Sequence, residues 1–505
     1  MSKTIIDMLE KTSAKFPNKT AFILGKDKIT YSEFVEESKK LGTYLAKTEK
    51  FKKPVAILLD KNINCLVSMI GTIYSGNYYI VLDSKSPVDR LQQIIDTLDN
   101  PIIITDEVNK KTTENLKNYD NIYLASEMRE CDVDNYILTN IRKKVIDTDI
   151  MYILFTSGST GVPKGTVLQH KAVLSYLDWF VNCFKIDDNT IFGSQTPFYF
   201  SMSVSDVYST MVTGATLCII PKMYFSFPVK LLSYLKEEKI NTIYWVPSAL
   251  CIIANLGALK NNDLTDLKKI LFAGEVMPTK QLNMWLNNVD AMYANLYGPT
   301  ETVDICTYYK IDRKLKDDES IPIGYGCDNC DIIILTEDNK KAKVGEVGEL
   351  CVRGSFLAAG YYKNLEKTNQ VFVQNPLNLS YPEKIYKTGD LVKINDLGEI
   401  IYLSRKDYQI KHMGYRIELG EIETKISSID KINTCCTIYD EKKDKIVLYY
   451  QSNELNDYEI LEKARAILPA YMVPNVVLRL DRVPYNANGK IDRKKLKSVY
   501  EKSED

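Results

Sequence analysis

The ten residues TSGSTGVPKG, Thr156 to Gly165, follow directly on an apolar run, MYILF, Met151 to Phe155. Glycines such as Gly158 and Gly161 let backbone N–H groups approach a polyphosphate closely and adopt positive φ. The hydroxyls of Thr156, Ser157, Ser159 and Thr160 add donors, and Lys164 adds a charge. A strand that runs into such a loop is a nucleotide-phosphate signal. The order is not that of the Walker loop, because no G-x-x-x-x-G-K-[ST] is present. A flexible Gly/Ser surface loop fits poorly, since the stretch is short and wedged after a strand of buried type.

Outward from this loop, strand-like and helical segments alternate, which predicts an α/β fold of layered elements. Ala21 to Gly25 with Lys28 to Thr30 reads as a hairpin. Val55 to Asp60, Tyr78 to Asp83, Pro101 to Thr105, Thr216 to Ile220, Asn241 to Val246 and Lys268 to Gly274 read as strands. From Cys327 the texture changes to short strands with Gly-rich turns, Asp331 to Leu335 and Gly348 to Gly354, which predicts a β-rich subdomain. The last hundred residues form an α+β unit with a strand at Lys445 to Tyr450 and a helix around Glu459–Ala466. The expectation is a large N-terminal part, residues 1–403, of layered α/β subdomains plus the β-rich one. A small mobile lid, residues 404–505, follows. The junction is short and charged, so a hinge is expected rather than a loose tether.

Composition narrows the function classes. The chain has 505 residues and a net charge of −1, so nothing points to nucleic acid or an anionic membrane. No run of about 18 apolar residues predicts a transmembrane helix. The N-terminus, MSKTIIDMLEKTSAKFP, reads as an amphipathic helix rather than a signal peptide. The 11 cysteines are scattered, mostly in apolar stretches, as expected of reduced thiols in a cytoplasmic protein. Cys327 and Cys330 form a single C-x-x-C without a second pair, which reads as a loop coincidence. With only His170 and His412 present, a His-based metal site or a Ser–His–Asp triad is not expected.

Four further stretches carry chemistry. In NLYGPTET, Asn295 to Thr302, Tyr297 can stack a base, the Gly298–Pro299 turn exposes Thr300, and Glu301 offers a carboxylate to Mg²⁺. In YKTGD, Tyr386 to Asp390, the carboxylate of Asp390 suits two ribose hydroxyls. SRKDYQIKHMGYRIELGEIE spans Ser404 to Glu423. In NANGKIDRKKL, Asn486 to Leu496, Lys490 follows a turn from which it can project.

Taken together these ordered motifs resemble the AMP-forming adenylating superfamily. That group includes peptide-synthetase adenylation domains, D-alanine–carrier protein ligases, acyl-CoA synthetases and luciferase. The likeness covers essentially the whole chain, from ITYSEF (Ile29 to Phe34) onward, and looks closest to the stand-alone carrier-loading branch. It implies ATP and Mg²⁺. Thr156 to Lys164 would hold the β- and γ-phosphates, and Glu301 the metal. Asn295, Leu296 and Tyr297 would border adenine and substrate. Asp390 and Arg405 would hold the ribose, Asp407 would be the hinge, and Lys490 would contact the substrate carboxylate and the α-phosphate. Ser404 departs from the glycine usual before this arginine. The implied reaction forms an acyl-adenylate with loss of pyrophosphate; the lid then turns, and a pantetheine thiol attacks.

The substrate is where the chain departs from these relatives. Amino-acid-activating members usually read F-x-F-D where this chain has Phe198-Tyr199-Phe200-Ser201. The missing aspartate pairs with an α-ammonium, and an ammonium left without a counter-charge in a desolvated pocket costs several kcal/mol. A standard α-amino acid is therefore not expected. Asp304 could instead bind an amine further from the carboxylate, as in a β-amino acid, or accept from a phenol or hydroxyl. It could also face a structural partner. Further pocket positions implied by the resemblance are Met202, Ser205, Trp245, Leu271, Ala273, Leu296 and Ile305. The expected acceptor is a separate phosphopantetheinylated carrier protein, because little chain follows Lys490, and the expected oligomeric state is a monomer. D-alanine activation with a compensating acid, a CoA ligase and a non-catalytic binding paralogue are the alternatives.

Overall fold

The computed structural model describes residues 3–504 apart from 118, 120, 159–161, 262–263, 408, 482–483 and 485–490. The chain divides into two compact units. The first comprises Met1–Ser84, Leu98–Leu154 and Gly165–Lys406; the second comprises Lys85–Thr97, Phe155–Lys164 and Asp407–Asp505. The fold is α/β throughout.

The first unit is built on three sheets. The largest has nine strands, and five of its neighbouring pairs are parallel: Thr20–Leu24 with Thr216–Ile219, then Ile191–Ser194, Thr242–Trp245, Lys269–Ala273 and Met292–Tyr297 in turn. Antiparallel strands flank this run, Asp27–Thr30 on one side and Thr307–Lys310 on the other. The central strands are buried on both faces, which is why they read as continuous apolar runs rather than alternating ones. A second sheet of seven strands orders Gly360–Tyr361, Lys164–Gln169, Ile150–Thr156, Tyr78–Val81, Pro54–Ile57, Ile102–Thr105 and Ile122–Leu124. The β-rich part is a five-stranded sheet around the long strand Lys384–Ile394, which pairs with Gly348–Gly354, Phe372–Gln374 and Ile400–Arg405. One apolar core runs through all three sheets.

Local signals explain the helices that matter below. Asn62 caps Ile63–Tyr74 by accepting from the Cys65 N–H at 2.9 Å. Helix Ser203–Thr213 starts just past Ser201 and stops at Gly214, whose φ of 86° ends it in the left-handed region.

In the second unit, Thr434–Asp440, Lys445–Gln451 and Val476–Arg479 form a three-stranded sheet. Alternation along the middle strand is used on both faces. Ile446, Leu448 and Tyr450 pack with Ile422, Ile426 and Ile460, while Val447 and Tyr449 pack with Leu496 and Tyr500 of the C-terminal helix. Gln409–His412 and Tyr415–Glu418 form a hairpin. No helix of the described residues is long and apolar enough to cross a membrane.

Candidate active site

In the first unit the strand Met292–Tyr297 ends at Gly298. A Cβ there would stand 2.1 Å from the Asp304 carbonyl oxygen, so only glycine lets the segment fold back on itself. The return is made by Val303, at φ 67° and ψ −65°, with the Asp304 N–H donating to the Thr302 carbonyl at 2.8 Å. This is a γ-turn of the rare, strained kind, costing about 1–3 kcal/mol at a β-branched residue. Its effect is to turn both Glu301 and Asp304 inward, to 0% and 2% exposure.

Glu301 Oε1 accepts the Tyr361 hydroxyl at 2.6 Å. Asp390 follows Gly389 in its strand and faces Arg405 across the antiparallel pair, so the two side chains share one face. The Arg405 guanidinium donates to Asp390 Oδ1 at 2.8 Å and to the Thr388 carbonyl at 3.1 Å. The Tyr297 hydroxyl donates to Asp390 Oδ2. Each carboxylate oxygen keeps a second lone pair, so Asp390 can still accept neutral hydroxyls. Asn295 donates to the Pro322 carbonyl at 2.8 Å, which fixes the middle of the strand.

The second unit holds the phosphate-type loop. The Ser157 hydroxyl donates to the Arg416 carbonyl at 2.7 Å and accepts the Glu418 N–H at 3.2 Å. The Gly158 N–H donates to Glu421 Oε2 at 3.1 Å, while Glu421 Oε1 pairs with Arg90. Burial raises the Glu421 carboxyl above its ordinary range, against the pull of Arg90. Thr156 Oγ1 is buried without a hydrogen-bond partner. A Cβ on Gly158 would lie 2.0 Å from the Val162 carbonyl oxygen, so this position too tolerates only glycine.

The donor set fits a nucleotide: one loop N–H already takes an anionic oxygen, and one hydroxyl is unused. Among the described residues no group of three or more His, Cys, Asp or Glu is placed to hold a metal. A single carboxylate such as Glu301 suits Mg²⁺, which keeps several waters and takes substrate phosphates as ligands. Ser159, Thr160, Gly161 and Lys490 lie outside the described residues. Asp407 is the first residue of the last segment of the second unit and accepts the Gln409 N–H at 3.2 Å.

Register sorts the substrate positions. Neighbours in register across a parallel sheet share a face. Tyr244 lies beside Leu271 and Leu271 beside Ala294, with Ala273 beside Leu296. The hydroxyl of Tyr244 reaches Asp304 Oδ2 at 3.0 Å, so Leu271, Ala273 and Leu296 lie on the face that carries Asp304. Trp245 lies on the opposite face with Phe272 and Asn295. Its indole N–H donates to the Gly193 carbonyl at 2.7 Å and its ring meets Phe225. The period of two along a strand thus puts Trp245, read from the sequence as a pocket position, on the face opposite Tyr244 and Asp304.

Asp304 Oδ2 also lies within hydrogen-bond reach of Ser205, at 2.8 Å, and Tyr176, at 3.2 Å, and the Ser201 hydroxyl favours its ionised form. Met202 and Ile305 are buried nearby in sequence, at 6% and 1% exposure. Sequence reasoning missed Tyr176, Tyr244 and Lys61. The Lys61 ammonium donates to the Ser194 carbonyl at 2.9 Å and to the Ser194 hydroxyl at 3.0 Å. It also interacts electrostatically with the buried Asp206. The sequence DKN, Asp60 to Asn62, just after an apolar strand and before a capped helix, was the available signal for Lys61.

Comparison with known proteins places this geometry. Residues 9–362 match the family of AMP-binding enzymes. The chain belongs to that family, within the AMP-forming adenylating superfamily, and is an AMP-forming acid ligase. It is 31% identical to zwittermicin A synthase ZmaJ of Bacillus cereus, over 98% of this chain and 95% of that one. It is 30% identical to the D-alanine–D-alanyl carrier protein ligase of Lacticaseibacillus casei (strain BL23), over 98% of this chain and 99% of that one. Other relatives are much longer: the chain spans 45% of tyrocidine synthase 1 of Brevibacillus parabrevis, at 30% identity. The Vibrio cholerae adenylation domain AlmE, solved with glycyl-adenosine-5'-phosphate, shares the fold with a TM-score of 0.84 at 20% identity, over 99% of this chain and 98% of that one.

Proposed function

We propose that this ligase activates a small carboxylic acid as its acyl-adenylate and passes the acyl group to the phosphopantetheine thiol of a separate carrier protein. The acid is not a standard α-amino acid. The observation that carries the transfer step is the end-to-end match with a D-alanine–D-alanyl carrier protein ligase, 98% of this chain against 99% of that one. The neutral Ser201, where amino-acid-activating relatives have aspartate, supports the substrate restriction.

In the first half-reaction a carboxylate oxygen of the acid bonds to the α-phosphorus of ATP, and the bond to the β-phosphate oxygen breaks, releasing pyrophosphate. The loop from Thr156 to Lys164 supplies N–H, hydroxyl and ammonium donors for the departing phosphates. Asp390, neutralised by Arg405, orients the ribose hydroxyls. Glu301 would hold Mg²⁺, which supplies charge neutralisation on the phosphates. In the second half-reaction the thiol sulfur bonds to the acyl carbon and loses its proton, and AMP leaves. The residues from Asp407 onward act as a lid, and Lys490 serves the first half-reaction only.

ATP–pyrophosphate exchange over a broad panel of acids, followed by intact-mass detection of acyl transfer, tests this. Transfer to a phosphopantetheinylated carrier with no transfer to free CoA is the expected result. Preferred transfer to CoA, or preferred exchange with D-alanine, overturns the corresponding half of the reading.

A further inference from the structure

Asp304 differs from every other acid discussed so far in what surrounds it. Its side chain is enclosed, and Oδ2 lies within hydrogen-bond reach of three hydroxyls, Ser205 at 2.8 Å, Tyr244 at 3.0 Å and Tyr176 at 3.2 Å. Tyr176 and Ser205 are also 2.6 Å apart; each hydroxyl carries one proton, so one of this pair donates to the other and Oδ2 accepts two of the three at a time, within one connected shell. The Ser201 hydroxyl also favours the ionised carboxylate. Among the described residues no lysine, arginine or histidine pairs with it.

The neighbouring acid sharpens the imbalance. Asp206 follows Ser205 on the same helix, is 2% exposed and feels the charge of Asp304. Its Oδ1 is buried with no hydrogen-bond partner. The one ammonium that balances it is Lys61. Asp206 has this cation, and Asp304 has none paired with it among the described residues.

Hydroxyl donors stabilise an ionised carboxylate but cannot cancel its charge. Burial pushes the Asp304 carboxyl up to about 6 against the pull of its four hydroxyls, so it remains ionised at neutral pH. An ionised group so enclosed costs several kcal/mol unless a cation joins it. A purely structural role would be met as well by asparagine, without the charge.

Resting on the adenylation reading above, we propose that Asp304 is the counter-charge for a substrate ammonium, and that the acid activated here carries its amine beyond the α-carbon. Placement follows from Ser201. Relatives that bind an α-ammonium carry the aspartate at that position. Here Ser201 is neutral, and its hydroxyl favours the ionised carboxylate of Asp304. The negative charge has therefore moved one side chain further along, and the amine it serves moves with it. β-Amino acids and amino acids with a still more distal amine fit; simple aryl and hydroxy acids leave the charge unmet.

ATP–pyrophosphate exchange with matched pairs tests this on the full-length protein: alanine, β-alanine, 3-aminobutanoate and 4-aminobutanoate against butanoate, 3-hydroxybutanoate and 2-hydroxybenzoate. The expected result is a kcat/KM for a β- or more distal amino acid about 100-fold above its neutral counterpart and above alanine. Asp304→Asn should erase that preference without lowering the melting temperature. Equal or faster exchange with the neutral acids overturns the proposal and leaves the adenylation reading standing, as does an Asp304→Asn enzyme that keeps the preference. Exchange with no acid at all overturns the adenylation reading itself, and this inference with it. Should Asp304→Asn fail to fold, the amine-against-neutral ratio of the native enzyme decides alone.

Discussion

Asp390 and Asp304 are both buried aspartates of the first unit, 3% and 2% exposed, yet they are furnished in opposite ways. Asp390 has an arginine at 2.8 Å and a tyrosine hydroxyl, so its charge is met within the protein. Asp304 has hydroxyls only. A carboxylate neutralised in advance is a site for neutral donors such as sugar hydroxyls. A carboxylate that is solvated but not neutralised is a site for a cation. On the reading proposed above, the same side chain would serve two recognition tasks, with the partner supplied by the fold deciding which.

The contrast can be broken most severely at Asp390. Asp390→Ala leaves Arg405 enclosed without its counter-charge, and stability should fall by about 3–5 kcal/mol, read by urea denaturation, with exchange activity lost. Glu421→Ala, which strips Arg90 of its partner in the second unit, should cost a similar but smaller amount, about 3 kcal/mol in the same measurement.

Asp304→Asn should behave in the reverse sense. The carboxyl rises from 3.8 to about 6 on burial. Between those values the folded chain holds a proton that the unfolded chain has released. Stability therefore drops as pH climbs through that window, and the full cost, of order 3 kcal/mol, stands above it. The asparagine variant should accordingly melt no lower than the native protein at pH 8, with any advantage fading toward pH 4. In the native enzyme, activation of an amine-bearing acid should decline as pH falls through about 6, as Asp304 takes up its proton.

A smaller change should come from Ser201→Asp. Restoring the carboxylate should raise exchange with alanine relative to β-alanine about tenfold, or about 1.4 kcal/mol. The least effect belongs to Tyr244→Phe, which removes one of the hydroxyl donors and should cost about 1 kcal/mol of apparent affinity for the amine. A larger loss there than in Asp304→Asn would make the hydroxyl shell, not the charge, the important element.

Much of this was legible in the chain itself. The strands at Tyr78–Val81, Ile102–Thr105 and Lys269–Ala273 announce themselves as apolar runs, and Gly298 and Gly158 stand where a Cβ has no room. Ser201 and Asp304 stand out only against the motifs of the family the chain resembles. What surrounds Asp304 could not be read, because Tyr176, Ser205 and Tyr244 lie 128, 99 and 60 residues away and meet only through tertiary packing. Which of Tyr244 and Trp245 shares a face with Asp304 was not legible either, because adjacent strand residues face opposite ways and size gives no sign of which is which. The link from Gly158 to Glu421 spans 263 residues and left no mark in either motif.

All eleven cysteines are free thiols. An acyl-adenylate is an electrophile toward any thiolate, including those of the protein that makes it. Burial pushes the thiols of Cys218, Cys251, Cys351 and Cys436 up to about 12 and that of Cys435 to about 11. Cys327 and Cys330 rise further still, for the same reason. A thiol held protonated is a poor nucleophile. These seven sulfurs are therefore poor nucleophiles toward an acyl-adenylate.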